Sequence, residues 1–233
     1  MTEAAVEIAT EFEGLKVPHS PFLGPKLAKM IGRGNYERPE RKLAHKLTRD
    51  DDRIVELGTG IGFVGGFTAL HRPKAQLRSF EANPRLIPHA RNLYDINGMA
   101  DRATVENRLV VANPDRPESM SFHLHGSFLG SSVFLRGMKD PTIVEVPTLA
   151  WDTLRDEFQP NVVIMDIEGA ELDFMIHADL TGVRAVIVEL HPKIFGQEGL
   201  TACLEAMQSK GFQRAHHRIH VWSFVREGVE FPR

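Results

Sequence analysis

A single cysteine, Cys203, stands among 233 residues. No intrachain disulfide framework can form, and the chain suits a reducing compartment. Long apolar runs are missing as well: no stretch approaches the roughly 20 residues needed to cross a bilayer. The opening residues, MTEAAVEIATEFEG, carry acids where a signal peptide carries a basic region, so no secretory leader is expected. Nor is there an excess of cations. Lys plus Arg number 28 against 31 Asp plus Glu, a formal net charge of −3, whereas neutralising nucleic-acid phosphates demands clustered positive charge. Internal repeats and low-complexity tracts are absent too. Apolar residues at 42% and charged ones at 25% make an ordinary globular composition. The expectation is a cytoplasmic protein with neither a membrane nor a nucleic-acid partner.

The length suits one α/β domain carrying an insertion. Pro39 opens a helix predicted over 40–47, since proline is tolerated at the first helical position. RIVEL (53–57) is a short β-branched run that stops at a glycine cluster and reads as a buried strand. A helix is predicted over 63–71 and a second strand over 75–81. Another helix runs from Pro84 to about 97, ended by Gly98, and a third strand covers 103–111. This alternation predicts a parallel sheet with right-handed crossovers. The stretch 112–147 reads differently, as an insertion of hairpin character with β-like pieces at 120–124 and 143–146. A helix over 151–158 follows, then the most strand-like run of the chain, NVVIMDI (161–167). AELDFMIHADL is helical, 185–190 is a buried strand, 200–210 is an amphipathic helix ended by Gly211, and 212–226 can close as an antiparallel hairpin. The predicted fold class is α/β: a doubly wound, Rossmann-like, mostly parallel sheet of about seven strands with an antiparallel C-terminal hairpin.

The chemistry concentrates at strand ends. ELGTGIGF (56–63) lies between a strand and a helix, where Gly58 and Gly60 let the backbone turn tightly and approach a ligand. Glu81 ends the next strand, 23 residues after Gly58, near the roughly 20-residue spacing at which a carboxylate meets a nucleotide ribose. Loop and acid together indicate an adenosine-containing cofactor. The dinucleotide fingerprint G-x-G-x-x-G needs its third glycine at position 63, which is Phe63. The third glycine is Gly62, giving G-x-G-x-G. Glu56, two residues before the first glycine, would repel a pyrophosphate and suits the ammonium of a methionine-like group. At these residues the chain resembles the class I S-adenosylmethionine-dependent methyltransferases, whose first motif is a strand ending in an acid followed by G-x-G-x-G.

Further motifs narrow the resemblance. GNYERPE (34–40), FEANP (80–84), VPTLAWDTL (146–154), MDIEGAE (165–171) and VELHP (188–192) are similar to those of the FkbM family of methyltransferases, over about 34–226. The implied organisation is a helical cap segment over 1–50 and a methyltransferase domain over 51–233, with its insertion at about 112–147. The implied cofactor is S-adenosylmethionine. Its candidate binding residues are Tyr36, Glu56, Gly58, Gly60, Gly62, Glu81 and Asp166, with Asn107 placed to reach the adenine and Tyr36 and Glu37 to close the pocket. One departure stands out: the family's usual lysine is Met165 here, so no role of that lysine carries over.

Methyl transfer from a sulfonium is an in-line displacement that positioning and a dry pocket favour. Glu56 and Glu81 are accordingly expected at the two ends of the cofactor, away from the sulfur. Asp166, Glu168 and His191 are the catalytic candidates. Two carboxylates flanking a turn can orient a hydroxyl, accept its proton or hold a divalent ion, though Glu168 can equally cap the next helix. Glu189 and His191 share a face at the end of the fifth strand. His191 is the leading general base, its alternative being a simple loop hydrogen bond. Glu171 is expected as a solvated acid at a helix N-terminus. His216, His217 and His220 lack a supporting carboxylate and are expected on the surface, so no metal is assigned. Ser127, Ser131 and Ser132 can line the substrate side. The expected function is methylation of a hydroxyl on a small molecule or sugar. The alternatives are an NAD-linked or nucleotide-sugar oxidoreductase, and a non-catalytic cofactor-binding protein, for which Met165 is the motive.

Overall fold

A computed structural model of the chain describes residues 6–124, 132–133 and 142–229. Its centre is a seven-stranded sheet in the order β5-β4-β3-β9-β10-β12-β11. The strands are β3 (Arg53–Leu57), β4 (Gln76–Phe80), β5 (Ala103–Glu106), β9 (Val162–Met165), β10 (Ala185–Glu189), β11 (Phe212–Arg218) and β12 (Val221–Arg226). The first five run parallel, and β12 pairs antiparallel with both β10 and β11. The α/β class, the mostly parallel sheet and the closing hairpin agree with the sequence reading.

Both faces of the sheet are covered, so the central strands are apolar throughout: Val162 to Met165 are all buried. Ile54, Leu77 and Ile164 pack with α3 (Phe63–Leu70) and α4 (Ile87–Ile96). Val55, Val163 and Met165 pack on the other side with α5 (Trp151–Phe158), α6 (Glu171–His177) and α7 (Pro192–Ser209). Met165 is 1% exposed within that second core. Helix α7 begins earlier than expected, because Pro192 starts it and Gly196, at φ 73°, interrupts it before the predicted amphipathic stretch.

Three features depart from the sequence reading. The N-terminal segment is not wholly helical. A hairpin of β1 (Ile8–Phe12) and β2 (Leu15–Pro18), turned at Glu13-Gly14, precedes α1 (Pro25–Gly32) and α2 (Arg38–Leu47). The strand expected over 103–111 is broken in two. Asn107 turns its amide to the carbonyls of Glu81 and Ala82, at 2.8 and 3.0 Å, and the chain leaves the main sheet there. The remainder, β6 (Leu109–Val111), joins β8 (Thr142–Ala150) and β7 (Ser119–Leu124) in a separate three-stranded sheet. Val110, Met120 and Phe122 of that small sheet line one cavity together with Phe80 at the end of β4 and Asp166 after β9. Among the described residues no helix is long and apolar enough to cross a membrane.

Candidate active site

Strand order reverses between β3 and β9, and in open α/β sheets the crevice beyond such a reversal is where ligands bind. The two strands end side by side: the Asp166 N–H donates to the Leu57 carbonyl at 2.9 Å. This explains the first glycine of the loop. Gly58 has φ +80°, and a Cβ there would lie 1.8 Å from the Asp166 carbonyl oxygen. Only glycine tolerates both conditions. A cavity of about 730 Å³ opens above this junction. Leu57, Gly58, Gly60, Phe80 and Glu81 form its floor, Tyr36 and Glu37 one side, and Asp166 and Glu168 another. Its far wall is apolar, built from the small sheet (Val110, Met120, Phe122) and from α6 and α7 (Leu172, Ile194, Phe195).

Glu81 is fixed before any ligand arrives. Its two carboxylate oxygens accept the N–H groups of Gly60 and Asn83, each at 2.8 Å, and burial pushes its pKa up to about 7. Tyr36 is buried, with its ring 5.5 Å from that of Phe63. Burial raises its phenol pKa, and the neighbouring Glu37 carboxylate raises it further. Glu37 itself, held in the left-handed region at φ 42°, is pushed by burial to about 8.

Glu56 is not brought to the cavity. It is 2% exposed and lies beneath the loop, where its carboxylate accepts Gly65 N–H at 2.7 Å, Ser79 Oγ at 2.7 Å and Thr59 Oγ1 at 2.5 Å. The Tyr94 hydroxyl completes this network with Ser79 at 2.9 Å. Burial still raises the Glu56 pKa against these donors. The acid of the first motif therefore braces the glycine loop against α3 and leaves no side for an ammonium. Gly62 likewise faces away: at φ +85° it starts α3, and a Cβ there would come within 3.1 Å of the Ala90 Cα on α4. Asn107 does not line the cavity either, since its amide is spent on the loop after β4.

At the ends of β9 and β10 the side chains converge. His191 Nε2 lies 3.8 Å from Asp166 Oδ1 and 3.6 Å from Glu168 Oε2, and its Nδ1 lies 2.9 Å from Glu171 Oε1. Glu171 is not the solvated acid expected from its place in the helix. It is fully buried, and the same Oε1 also accepts the N–H groups of Ile167 and Gly169, both at 3.1 Å. A carboxylate oxygen gathering donors makes Nδ1 the protonated ring nitrogen and turns Nε2 toward Asp166 and Glu168. Burial disfavours the imidazolium, but the Glu171 hydrogen bond and the carboxylates of Glu171, Glu168 and Glu189 outweigh it and raise the His191 pKa. The Asp166 pKa is also raised, by burial first and then by Glu189 and Glu168. Glu168 sits in the left-handed region at φ 55°, and its carbonyl accepts the Ser132 hydroxyl at 2.9 Å. Ser127 and Ser131 lie outside the described residues. His216 and His217 are exposed on β11, His217 stacking on Trp222 at 3.7 Å between ring centroids.

The FkbM methyltransferase domain matches residues 56–219 of this chain. Among solved structures, an FkbM methyltransferase from Methylobacillus flagellatus is similar at 12% identity and a TM-score of 0.50, over 89% of this chain and 55% of that one. Fibrillarin, solved in complex with Nop5p, is similar at 14% identity and a TM-score of 0.52, over 93% and 87%. TYW2 from M. jannaschii, crystallised with AdoMet, covers 80% of this chain with 72% of its own at 13% identity and a TM-score of 0.42. No curated protein matches the sequence. The chain belongs to the FkbM methyltransferase domain family, whose methyl donor is S-adenosylmethionine.

Proposed function

We propose that the protein methylates a hydroxyl oxygen of a small molecule or sugar. One observation carries this reading: Asp166 and Glu168, with His191 behind them, stand across one cavity from Gly58, Gly60 and Glu81. The cavity volume of about 730 Å³ falls in the range of small-molecule sites, which runs to about 1,000 Å³.

The residues present fit the cofactor. Each Glu81 oxygen uses one lone pair on a backbone N–H and keeps another for a sugar hydroxyl. S-adenosylmethionine, when bound, supplies an electrophilic methyl group on a sulfonium. The rest is the work of this chain. Glu81 binds the ribose hydroxyls, while Tyr36 and the apolar residues of the small sheet exclude water. A dry site favours a reaction in which opposite charges disappear. Asp166, Glu168 and His191 orient the acceptor hydroxyl and take its proton, with Glu171 holding the imidazole in register from behind.

Calorimetry with S-adenosylhomocysteine is the first test. One site per chain is expected, weakened at least tenfold by Glu81→Ala. Absence of binding, or a Glu81→Ala variant that binds like the wild type, rejects the reading of the cavity. A panel of sugars and small alcohols then tests the acceptor, and methyl transfer to carbon or to RNA alone overturns the hydroxyl assignment.

A further inference from the structure

We infer that Asp166, Glu189 and His191 form a site for one divalent cation of the Mn²⁺ type in the wall of the acceptor cavity. The site stands on geometry; only its use in catalysis rests on the hydroxyl-methylation reading. One donor atom from each of the three residues lies within 4.8 Å of the other two. Ligand bonds of about 2.0–2.6 Å place opposite donors no more than about 5 Å apart, so a single ion can reach all three.

Two independent features point to a ligand. The first is unmet polarity. Asp166 Oδ1 has no exposed surface and no hydrogen-bond partner, although it faces His191 Nε2 at 3.8 Å. A buried carboxylate oxygen without a partner is costly, and a cation bound by Asp166 offsets that cost. The second is the aim of the imidazole. Metal-bound histidines commonly donate their other ring N–H to a carboxylate that fixes tautomer and direction. The Glu171 Oε1 contact to Nδ1 at 2.9 Å does this and leaves the Nε2 lone pair facing the carboxylates.

The donor set selects the ion. Two carboxylates suit Mg²⁺, Mn²⁺ and Ca²⁺, and the imidazole favours Mn²⁺ among them. Asp166 also lines the cavity, so the open positions of the ion are reachable from it. A hydroxyl bound there loses its proton more readily. The O–H bond breaks, the oxygen stays on the ion, and the proton passes to Glu168, whose Oε2 is 3.6 Å from His191 Nε2. His191 then serves as a ligand and Glu168 as the base.

The test uses the full chain, dialysed against a chelator and titrated with Mn²⁺ alone. Loss of the free-ion electron paramagnetic resonance signal and calorimetry report binding. One saturable site per chain is expected. Glu189→Gln and His191→Asn should each weaken it tenfold or more, and Glu171→Gln by about 10- to 100-fold. His217→Ala, on the exposed hairpin, should leave it unchanged. S-adenosylhomocysteine binding by every variant checks that fold and cofactor site survive, so failure of the cation site and failure of the methyltransferase reading are told apart. No saturable Mn²⁺ binding by the wild type overturns the inference. So does wild-type Mn²⁺ affinity in both Glu189→Gln and His191→Asn.

Discussion

At the residue scale the most consequential side chain is Glu81, because in the proposed cofactor site its protonation decides whether it can accept two ribose hydroxyls. Burial holds its pKa near 7, and below that value each pH unit leaves about a tenth as much carboxylate. S-adenosylhomocysteine affinity should therefore rise with pH by up to tenfold per unit below pH 7 and level off above it. Glu81→Gln should bind more weakly and flatten the profile. A wild-type profile without slope between pH 5.5 and 7, measured by calorimetry, contradicts this role. Gly58 makes a separate prediction. Alanine at φ +80° with a Cβ 1.8 Å from the Asp166 carbonyl forces β3 and β9 apart, which should cost about 3 kcal/mol or more in urea unfolding. A loss below about 1 kcal/mol would show that the junction yields easily. That Glu81 and Gly58 border the cavity was legible in the sequence, because each is fixed by its place along a strand–loop–helix unit. Glu56 and Glu171 were not. The donors that satisfy Glu56 come from the loop, α3 and β4, and the side-chain partner of Glu171 lies twenty residues on. Sequence spacing alone does not bring such groups together.

At the level of elements, long buried strands and the helices between them were readable from apolar runs, while the interruptions were not. Asn107 ends β5 by a side-chain contact to the loop after β4, a tertiary event inside a β-branched run. The β1–β2 hairpin was missed although Glu13-Gly14 is a turn signal between two short runs. Besides the buried Leu15 and Val17, what fastens this hairpin is Arg41 of α2, 5% exposed, with its guanidinium 4.3 Å from the Phe12 ring centroid and 4.8 Å from that of Phe67. Its Nη2 also donates to the Gly34 carbonyl at 3.2 Å, two residues before Tyr36. Arg41→Ala removes a stacked cation and the packing of its stem, together worth about 2 kcal/mol. The hairpin should then be cleaved faster in limited proteolysis, and cofactor affinity should fall as Tyr36 loosens. Unchanged cleavage between residues 8 and 18 would mean that strand pairing, the buried Leu15 and Val17 and the Lys16–Asn97 hydrogen bonds hold the hairpin without Arg41.

Across the whole molecule, the carboxyl ends of the parallel strands collect acids that burial keeps protonated. Glu37 is pushed to about 8, Glu40 and Glu81 to about 7. In the unfolded chain such groups ionise near 4.5. Between these values the folded state therefore binds more protons than the unfolded one, and stability must fall as pH rises. His191 acts in the same sense, since its raised pKa gives stability that is lost as pH climbs through it. Each group that retains its proton contributes at most about 1.4 kcal/mol per pH unit, and each 1 kcal/mol moves Tm by about 2–4 °C in a chain of this size. The ligand-free protein should thus melt several degrees higher at pH 5.5 than at pH 8, as read by calorimetric scans at constant ionic strength. Glu37→Gln should reduce the difference by removing one of the raised acids. A Tm that rises over the same interval would mean that these carboxyls are ionised in the folded protein. The acids at this end of the sheet would then be held by bound cations instead of protons.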